Sequence, residues 1–563
     1  MRQEESLTGG LHMDRRRFVA QLAAAACASR LLSGCTPAQL QSSSRAPPFL
    51  IDVHCHVFNA SDLPVRGFIQ QVALGDEQHQ VALGPADRAA LPWLAAVLVE
   101  MLGSGAKTAD AELAELQRGS SSGTAGASRA EQALTDSISV VLGTDGRTRR
   151  SSLTVPLPTD GTGRSLLLSR IDQETRRTGR TNLVTPEDAR EMARGLLSGS
   201  GEISRYIQWI QVLLLDRRDI VSRLVSLYAP EGKSCLFTPA LIDFSYWLED
   251  DPRSSLESQV RVMDMIQRLQ GLAALRCFAP FDPWRQLVGA SGAEQRRALE
   301  IVRWAVEDMG FIGVKLYPPM GFRPADNANI RQNYPERAAS IPGFPARLDG
   351  ALAQLYEYAQ KSGVPIMAHT AHSNGAAPGY ADRASPQGWR PVLRRYPELS
   401  VNFAHFGGFE QSRAKPPSAD WEAIFGGLQR EFGSDRLFAD MSYLAELLPG
   451  RDTTVAEHVR QSLRQYINSN DVWMRSLMYG SDWIMLGKEQ GFEAYEHAIA
   501  AELTSIQITA AQAGRFFGGN AVRYLGLKRG RANRQRIDRY NTRHGLSTKW
   551  LEVIDALPEG LTS

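Results

Sequence analysis

Short apolar runs recur at 49–54, 235–243, 274–280, 312–317, 364–369, 399–405, 436–442 and 477–482, most of them bounded by Gly or polar residues, and they read as eight strands. Between most of them lie stretches with a helical period and charged faces, at 255–272, 293–309, 346–362, 386–396, 420–432 and 453–467. Strand, helix, strand repeated eight times is the α/β pattern of a (β/α)8 TIM barrel, here spanning 49–527. One connection breaks the rhythm. About 178 residues separate His56 from Cys235, far beyond an ordinary βα loop, which predicts a large, mainly helical insertion after strand 1 at about 67–234. Its parts are helical patterns around 88–103 and 108–117, a Gly/Ser-rich piece at 119–128, a strand-like Ser152–Pro158 and a long amphipathic stretch from Ile203 to Tyr228. Because it leaves directly after strand 1, it is expected to act as a lid over the barrel mouth. Ala510–Leu527 reads as the closing helix, and 528–563 as a basic, solvated surface tail.

Composition narrows the class. The chain has 63 basic and 61 acidic residues in 563, with no long basic run past the N-terminal region, so nucleic acid is not an expected partner. Residues 1–35 read as a targeting segment: Arg15-Arg16-Arg17-Phe18-Val19 has the form of a twin-arginine signal, and the apolar stretch to Leu32 is too short for a spanning helix. Either Met1 or Met13 could start it. Leu32-Ser33-Gly34-Cys35 resembles a lipobox, which makes Cys35 the acylated first residue of the mature chain, followed by a polar tether over 36–48. The expected location is the periplasmic side, reached by the twin-arginine route, with membrane contact through the lipid anchor only. That route carries folded proteins, so a metal could be loaded before export. Cys55, Cys235 and Cys277 then remain, an odd number with no disulfide framework.

The candidate chemistry sits at strand ends. Ile51-Asp52-Val53-His54-Cys55-His56 places two imidazoles at i and i+2, on one face of a strand, where neutral rings can hold a divalent metal; Cys55 should point to the other face. Three further runs end in a ligand type and pass into Gly or a small polar residue: Val364–His369, Val401–His405 before Phe406-Gly407-Gly408, and Leu477–Asp482 before Trp483. All end at the C-terminal side of a strand, where barrel enzymes keep their chemistry. Gly313, Lys315 and Tyr317 alternate with Ile312, Val314 and Leu316, which turns Lys315 and Tyr317 into the barrel toward substrate. Arg323, in the loop that follows, is either an anion clamp or a surface arginine. Asp440 ends the seventh strand and lines the pocket, His372 falls on a loop at its edge, and Asn402 and Asp52 read as structural.

The order His-x-His, His, His, then Gly-Ser-Asp-Trp, with Gly519-Asn520-Ala521-Val522-Arg523-Tyr524-Leu525-Gly526-Leu527 behind it, resembles the amidohydrolase superfamily. The resemblance is to the amidohydrolase-related branch that also contains decarboxylases and lactonases. It implies a divalent metal, zinc first, with manganese or iron in its place, held by His54, His56, His369 and Asp482. It also implies that Asp482 shuttles a proton and that His405 is a base or a group that polarises the substrate; in binuclear relatives, His369 and His405 ligate a second ion. Lys315 is then an unmodified cation near a substrate carboxylate, or a carbamylated bridge between two metals. The expected activity is hydrolysis of an amide, lactone or ester by metal-activated water. A non-oxidative decarboxylase on the same scaffold and an inactive surface-anchored binding protein are the alternatives. The partner is a small-molecule substrate, and a homodimer is left open.

Overall fold

A computed structural model describes residues 49–562 apart from 74–94, 104, 120–124, 143–185, 199–201, 230–233, 270–273, 290–295, 374, 410–419 and 452. The signal with Cys35, the tether and the strand expected at 152–158 lie outside the described residues.

The strands are β1 (Phe49–Cys55), β2 (Ser234–Pro239), β3 (Ala274–Leu275), β4 (Phe278–Pro280), β5 (Gly313–Leu316), β6 (Ile366–Ala371), β7 (Val401–Gly407), β8 (Leu437–Asp440) and β9 (Leu477–Met478). Every pairing is parallel, in sheets ordered β1-β2-β3 and β4-β5-β6-β7-β8-β9. The run at 274–280 is therefore two strands, broken at Arg276–Cys277, where one sheet gives way to the next. Backbone hydrogen bonds span both gaps in the ladder. Leu241 N donates to Phe278 O at 3.1 Å, and on the far side Val53 N donates to Tyr479 O at 3.1 Å and Asp482 N to His54 O at 2.7 Å. The order is that of a (β/α)8 TIM barrel.

The intervening helices fall where the period placed them, at Leu256–Gln267, Ala298–Asp308, Phe344–Ser362, Trp421–Phe432 and Thr453–Asn470. Local chemistry sets their ends. Ser255 and Asp420 accept from backbone N–H groups of the first turn, at 3.1 and 2.9 Å, and Gly363 stops Phe344–Ser362 in a left-handed conformation (φ 61°).

Between β1 and β2 the described insertion is helical: 95–103, then Ala109–Gln117, Ala125–Leu142, Pro186–Ser198, Glu202–Val212 and Arg217–Tyr228. The Gly/Ser-rich piece runs into a helix at Ala125, and the amphipathic stretch over 203–228 is two helices separated at 213–216, where Asp216 takes an extended N-cap conformation (ψ 146°). The insertion is tied down directly after His56. Asn59 Nδ2 donates to Lys107 O and Leu215 O, and the wholly buried Arg217 donates to both oxygens of Asp62 and to Glu112 Oε2 at 2.8 Å. Trp209 Nε1 donates to Ile484 O at 2.7 Å, placing Glu202–Val212 against the loop after Asp482.

The C-terminal residues are not a solvated tail. Phe49, Ile51, Val53, Met367, Ala404, Phe438 and Met478 pack in one cluster with Ile537, Trp550, Leu551 and Ile554, so this segment closes the N-terminal end of the barrel. The basic pattern misleads because the buried arginines are helix-end partners: Arg534 donates to Leu527 O at 2.9 Å and Arg536 to Ser362 O at 2.7 Å.

Candidate metal centre

At the opposite end converge His54 and His56 from β1, Lys315 from β5, His369 from β6, His405 from β7, Asp440 and Ser442 from β8 and its exit, and Asp482 beyond β9. None is more than 6% exposed.

Simple alternation does not account for this. Ile51 and Val53 belong to the inner apolar cluster, so His54 should point outward. Pairing shifts between Asp52 and Cys55, which span three residues of β1 against two of β2 (Phe237 to Pro239), and this bulge re-aims His54 into the barrel. β7 repeats the device: His369–Ala371 pairs with Ala404–Gly407, and the extra residue turns His405 to the same side as Ala404. His405 and Asp482 both sit in the left-handed region (φ 69° and 53°), where non-glycine residues are strained. His405 N, donating to Asp440 Oδ1 at 3.1 Å, and Asp482 N, donating to His54 O, hold them there. Gly480 is required by closeness, since a Cβ there would lie 2.9 Å from His54 Cβ.

The hydrogen bonds fix which ring nitrogens face the mouth. His56 Nδ1 donates to Ala240 O at 2.8 Å, leaving Nε2 3.2 Å from Asp482 Oδ1. A neutral Nε2 and a carboxylate oxygen are both acceptors, so this approach needs a positive charge: a proton on the ring or a metal ion bound by both. His54 Nδ1 lies 3.2 Å from Asp440 Oδ1 and 2.8 Å from Ser442 Oγ, which turns its Nε2 toward Asp482 Oδ1 at 3.7 Å. Ser442 Oγ also lies 2.9 Å from His405 Nδ1 and donates to Asp440 Oδ1 at 2.5 Å, while Asn402 Nδ2 donates to Asp440 Oδ2 at 2.6 Å. His369 Nδ1 meets His405 Nε2 at 3.1 Å, and its Nε2 meets Ser373 Oγ at 2.9 Å.

Burial, then the charge of Lys315, pushes His54 down to about 3, and burial first of all lowers His369 and His405, so all three are neutral at pH 7. Burial would raise both aspartates, but it is outweighed. The His56 hydrogen bond and the nearby imidazoles bring Asp482 to about 2, and His54 and Ser442 among others hold Asp440 well below the carboxylate range. Burial lowers Lys315 to about 8 against the pull of Asp482 and Asp440. Two carboxylates against one ammonium leave the buried cluster net negative, which suits a cation. Lys315 Nζ, 2.9 Å from His54 Nε2, already places a positive charge at that nitrogen. Donor atoms of His54, His56 and Asp482 lie within 4.8 Å of one another, as do those of His54, His405 and Asp440. The donor set fits a divalent ion.

The remaining sequence candidates divide. Tyr317 lies beside the cluster, its ring 4.4 Å from that of His369, and burial raises its hydroxyl to about 12. A small cavity next to it has Lys315 and Tyr317 in its lining and an apolar wall of Ile242, Phe281, Met320 and Phe322. Arg323 is half-buried near Tyr334 and Arg383, and among the described residues no side-chain hydrogen bond or ion pair joins it to the cluster. His372 is a loop residue facing the exposed Asp382 at 3.1 Å. Asp52 accepts from Ser481 N and Oγ at 3.0 and 2.6 Å, locking β1 to the Asp482 turn. Ser442 was not anticipated. The available signal was its position two residues beyond Asp440, the same spacing as His54 and His56.

Buried histidines and aspartates gathered at the C-terminal ends of the strands of a parallel α/β barrel occupy the place where barrel enzymes keep their active sites. The family model described as Amidohydrolase matches residues 227–527, more than half of the chain, and the protein belongs to that family. No curated protein matches the chain. Among solved structures it is similar to a 4-oxalomesaconate hydratase from Rhodopseudomonas palustris (13% identity over 67% of this chain and 92% of that one, TM-score 0.35). It is also similar to a zinc-bound amidohydrolase from Burkholderia multivorans (13%, 56% and 91%, 0.33) and to a TIM-barrel protein from Bordetella bronchiseptica (14%, 54% and 82%, 0.34).

Proposed function

We propose that the protein is a metal-dependent hydrolase acting on an amide, lactone or ester carbonyl. The observation that carries this is the His56 Nε2–Asp482 Oδ1 approach of 3.2 Å, with Nδ1 already committed to Ala240 O. His54, His56 and Asp482 would hold the ion, with His369 beside them. A divalent ion bound there supplies acidity to water and polarises a carbonyl. The chain's own groups do the rest. Asp482, ionised at neutral pH, accepts a proton from the attacking water. Lys315 presents its ammonium to the charge that develops on the carbonyl oxygen, and the neutral His405, whose nitrogens meet Ser442 and His369, positions His369 at the edge of the cluster. The apolar wall beside Tyr317 receives the carbon skeleton, and the insertion, seated on the loop after Asp482, forms a lid on that side.

Elemental analysis of the purified protein, with hydrolysis of a lactone, ester and amide panel before and after chelation, tests this reading. About one equivalent of zinc, manganese or iron and chelator-sensitive hydrolysis are the expected results. Carbon dioxide release from carboxylic acids without hydrolysis would assign a decarboxylase instead, and activity untouched by strong chelators would refute a metal mechanism. His405→Ala should keep most of the metal if one ion is bound and lose about half if two are. The proposed lipid anchor has its own test: Cys35→Ala should release the protein from the membrane fraction, and Arg15→Lys with Arg16→Lys should retain it in the cytoplasm.

A further inference from the structure

We propose that the end of the barrel opposite the metal centre docks on an anionic phospholipid surface, through Trp473 and Val472 and the basic C-terminal cap. Trp473 is 67% exposed and Val472 55%, adjacent on the loop that leads into β9. Single exposed apolar residues are ordinary, but this pair is held outward by a backbone fixed from behind. Asp471 accepts from Arg475 N and Ser476 N at 2.7 and 2.9 Å, Gln512 Nε2 donates to Val472 O at 2.8 Å, and Arg515 donates to Trp473 O at 2.9 Å. A preformed loop that offers an indole suits the headgroup region, where amphipathic rings gather.

Charge and chain path favour lipid over another occupant. Arg515 also donates to Gly560 O at 2.9 Å, which joins the loop to the C-terminal cap, and Gly518 lies against the carbonyl of Phe49, where β1 begins. Of the eight basic and four acidic residues of the cap, 528–563, Arg534 and Arg536 are buried, and five basic residues (Arg529, Arg531, Arg539, Arg543 and Lys549) are exposed against three acidic ones (Glu552, Asp555 and Glu559). β1 begins at this same end, at Phe49, and thirteen residues separate it from Cys35 in the sequence. Fully extended they reach roughly 45 Å, so an acylated Cys35 would keep the face at high local concentration near the bilayer, where a weak contact is enough to orient it. Among the described residues no helix is long and apolar enough to cross a membrane, so the contact is peripheral. In this orientation the metal centre opens away from the lipid.

Residues 48–563 form a compact unit of their own, so the chain from Thr36 onward tests the face without the signal or the acyl group. It is sedimented with phosphatidylglycerol-containing vesicles and with pure phosphatidylcholine vesicles, at low and high salt. Binding to the anionic vesicles that is lost at high salt is expected. Trp473→Ser with Val472→Ser should weaken it severalfold, and Arg531→Glu with Arg539→Glu by roughly fivefold per side chain. Failure of the parent chain to bind, equal binding to neutral vesicles, or unchanged binding of the Trp473→Ser/Val472→Ser chain overturns the proposal. So does sedimentation velocity without vesicles showing a dimer that Trp473→Ser dissociates, because the face would then belong to a second copy.

Discussion

The two ends of this barrel are built on opposite principles. At the N-terminal end, Ile51, Met367, Phe438 and Met478 meet Trp550 and Ile554 in an apolar cluster whose worth is the area it removes from water. At the C-terminal end the same strands finish in His54, His369, Asp440 and the approach to Asp482, buried charges and imidazoles held by bulges and left-handed residues. The first arrangement makes the fold stable. The second draws on that stability to hold groups in positions they would not adopt alone, which predicts that substitutions at the two ends separate activity from stability.

The largest effect is expected at the mouth. Asp482→Asn keeps an oxygen that can bind a metal but cannot take a proton from water, so kcat should fall about a thousandfold while metal content falls less and the thermal midpoint hardly moves. Kinetics, elemental analysis and thermal melting of one preparation check all three. Trp550→Ala should do the reverse, costing about 3–5 kcal/mol in urea unfolding with the kcat of the folded protein unchanged. A fall in kcat matching the loss of stability would show that the two ends are not independent.

Ser442→Ala sharpens the comparison. The hydroxyl touches Asp440, His54 and His405 but lines no apolar cluster, so activity should drop about tenfold through misaimed imidazoles, at a stability cost of about 1 kcal/mol. Ser442→Thr, which restores the hydroxyl, should recover part of the rate. A smaller, pH-dependent effect belongs to Asp52, whose carboxyl is raised by burial from 3.8 to about 7 despite the hydrogen bonds from Ser481 and His54. Between about pH 4 and 7 the folded state holds the extra proton, so this group's contribution is present at low pH and is lost as pH rises through 7. Asp52→Asn should therefore flatten the decline in unfolding free energy across that window, and an unchanged slope would remove Asp52 as its source.

Much of this was legible in the chain. Apolar runs ending in His54, His369, His405 and Asp482 marked the strands and the residues that gather at one end of the barrel, because a parallel strand buried on both faces is written as a continuous hydrophobic run. Helical periods and capping residues placed the helices that separate the strands, and the distance from His56 to Cys235 required an insertion. These are local properties, fixed by neighbours a few positions apart. The alternation that placed Lys315 inside also held, because β5 carries no bulge.

Other features depended on groups distant in sequence. Strict alternation after Val53 and Ala404 sends His54 and His405 outward, and only pairing with β2 and β6 reveals the bulges that turn them in. Ser442 became part of the centre because β8 lies beside β7, with Asp440 and the strand-end histidines converging there. The basic run at 528–540 looked solvated because a linear charge pattern does not show that Arg534 and Arg536 end on carbonyls of Leu527 and Ser362. The sequence by itself determined which residues could form strands, helices and ligands, since propensity and period act over short distances. The tertiary structure alone decided which way those ligands point and which charges are buried, since both depend on the register and partners that distant strands supply.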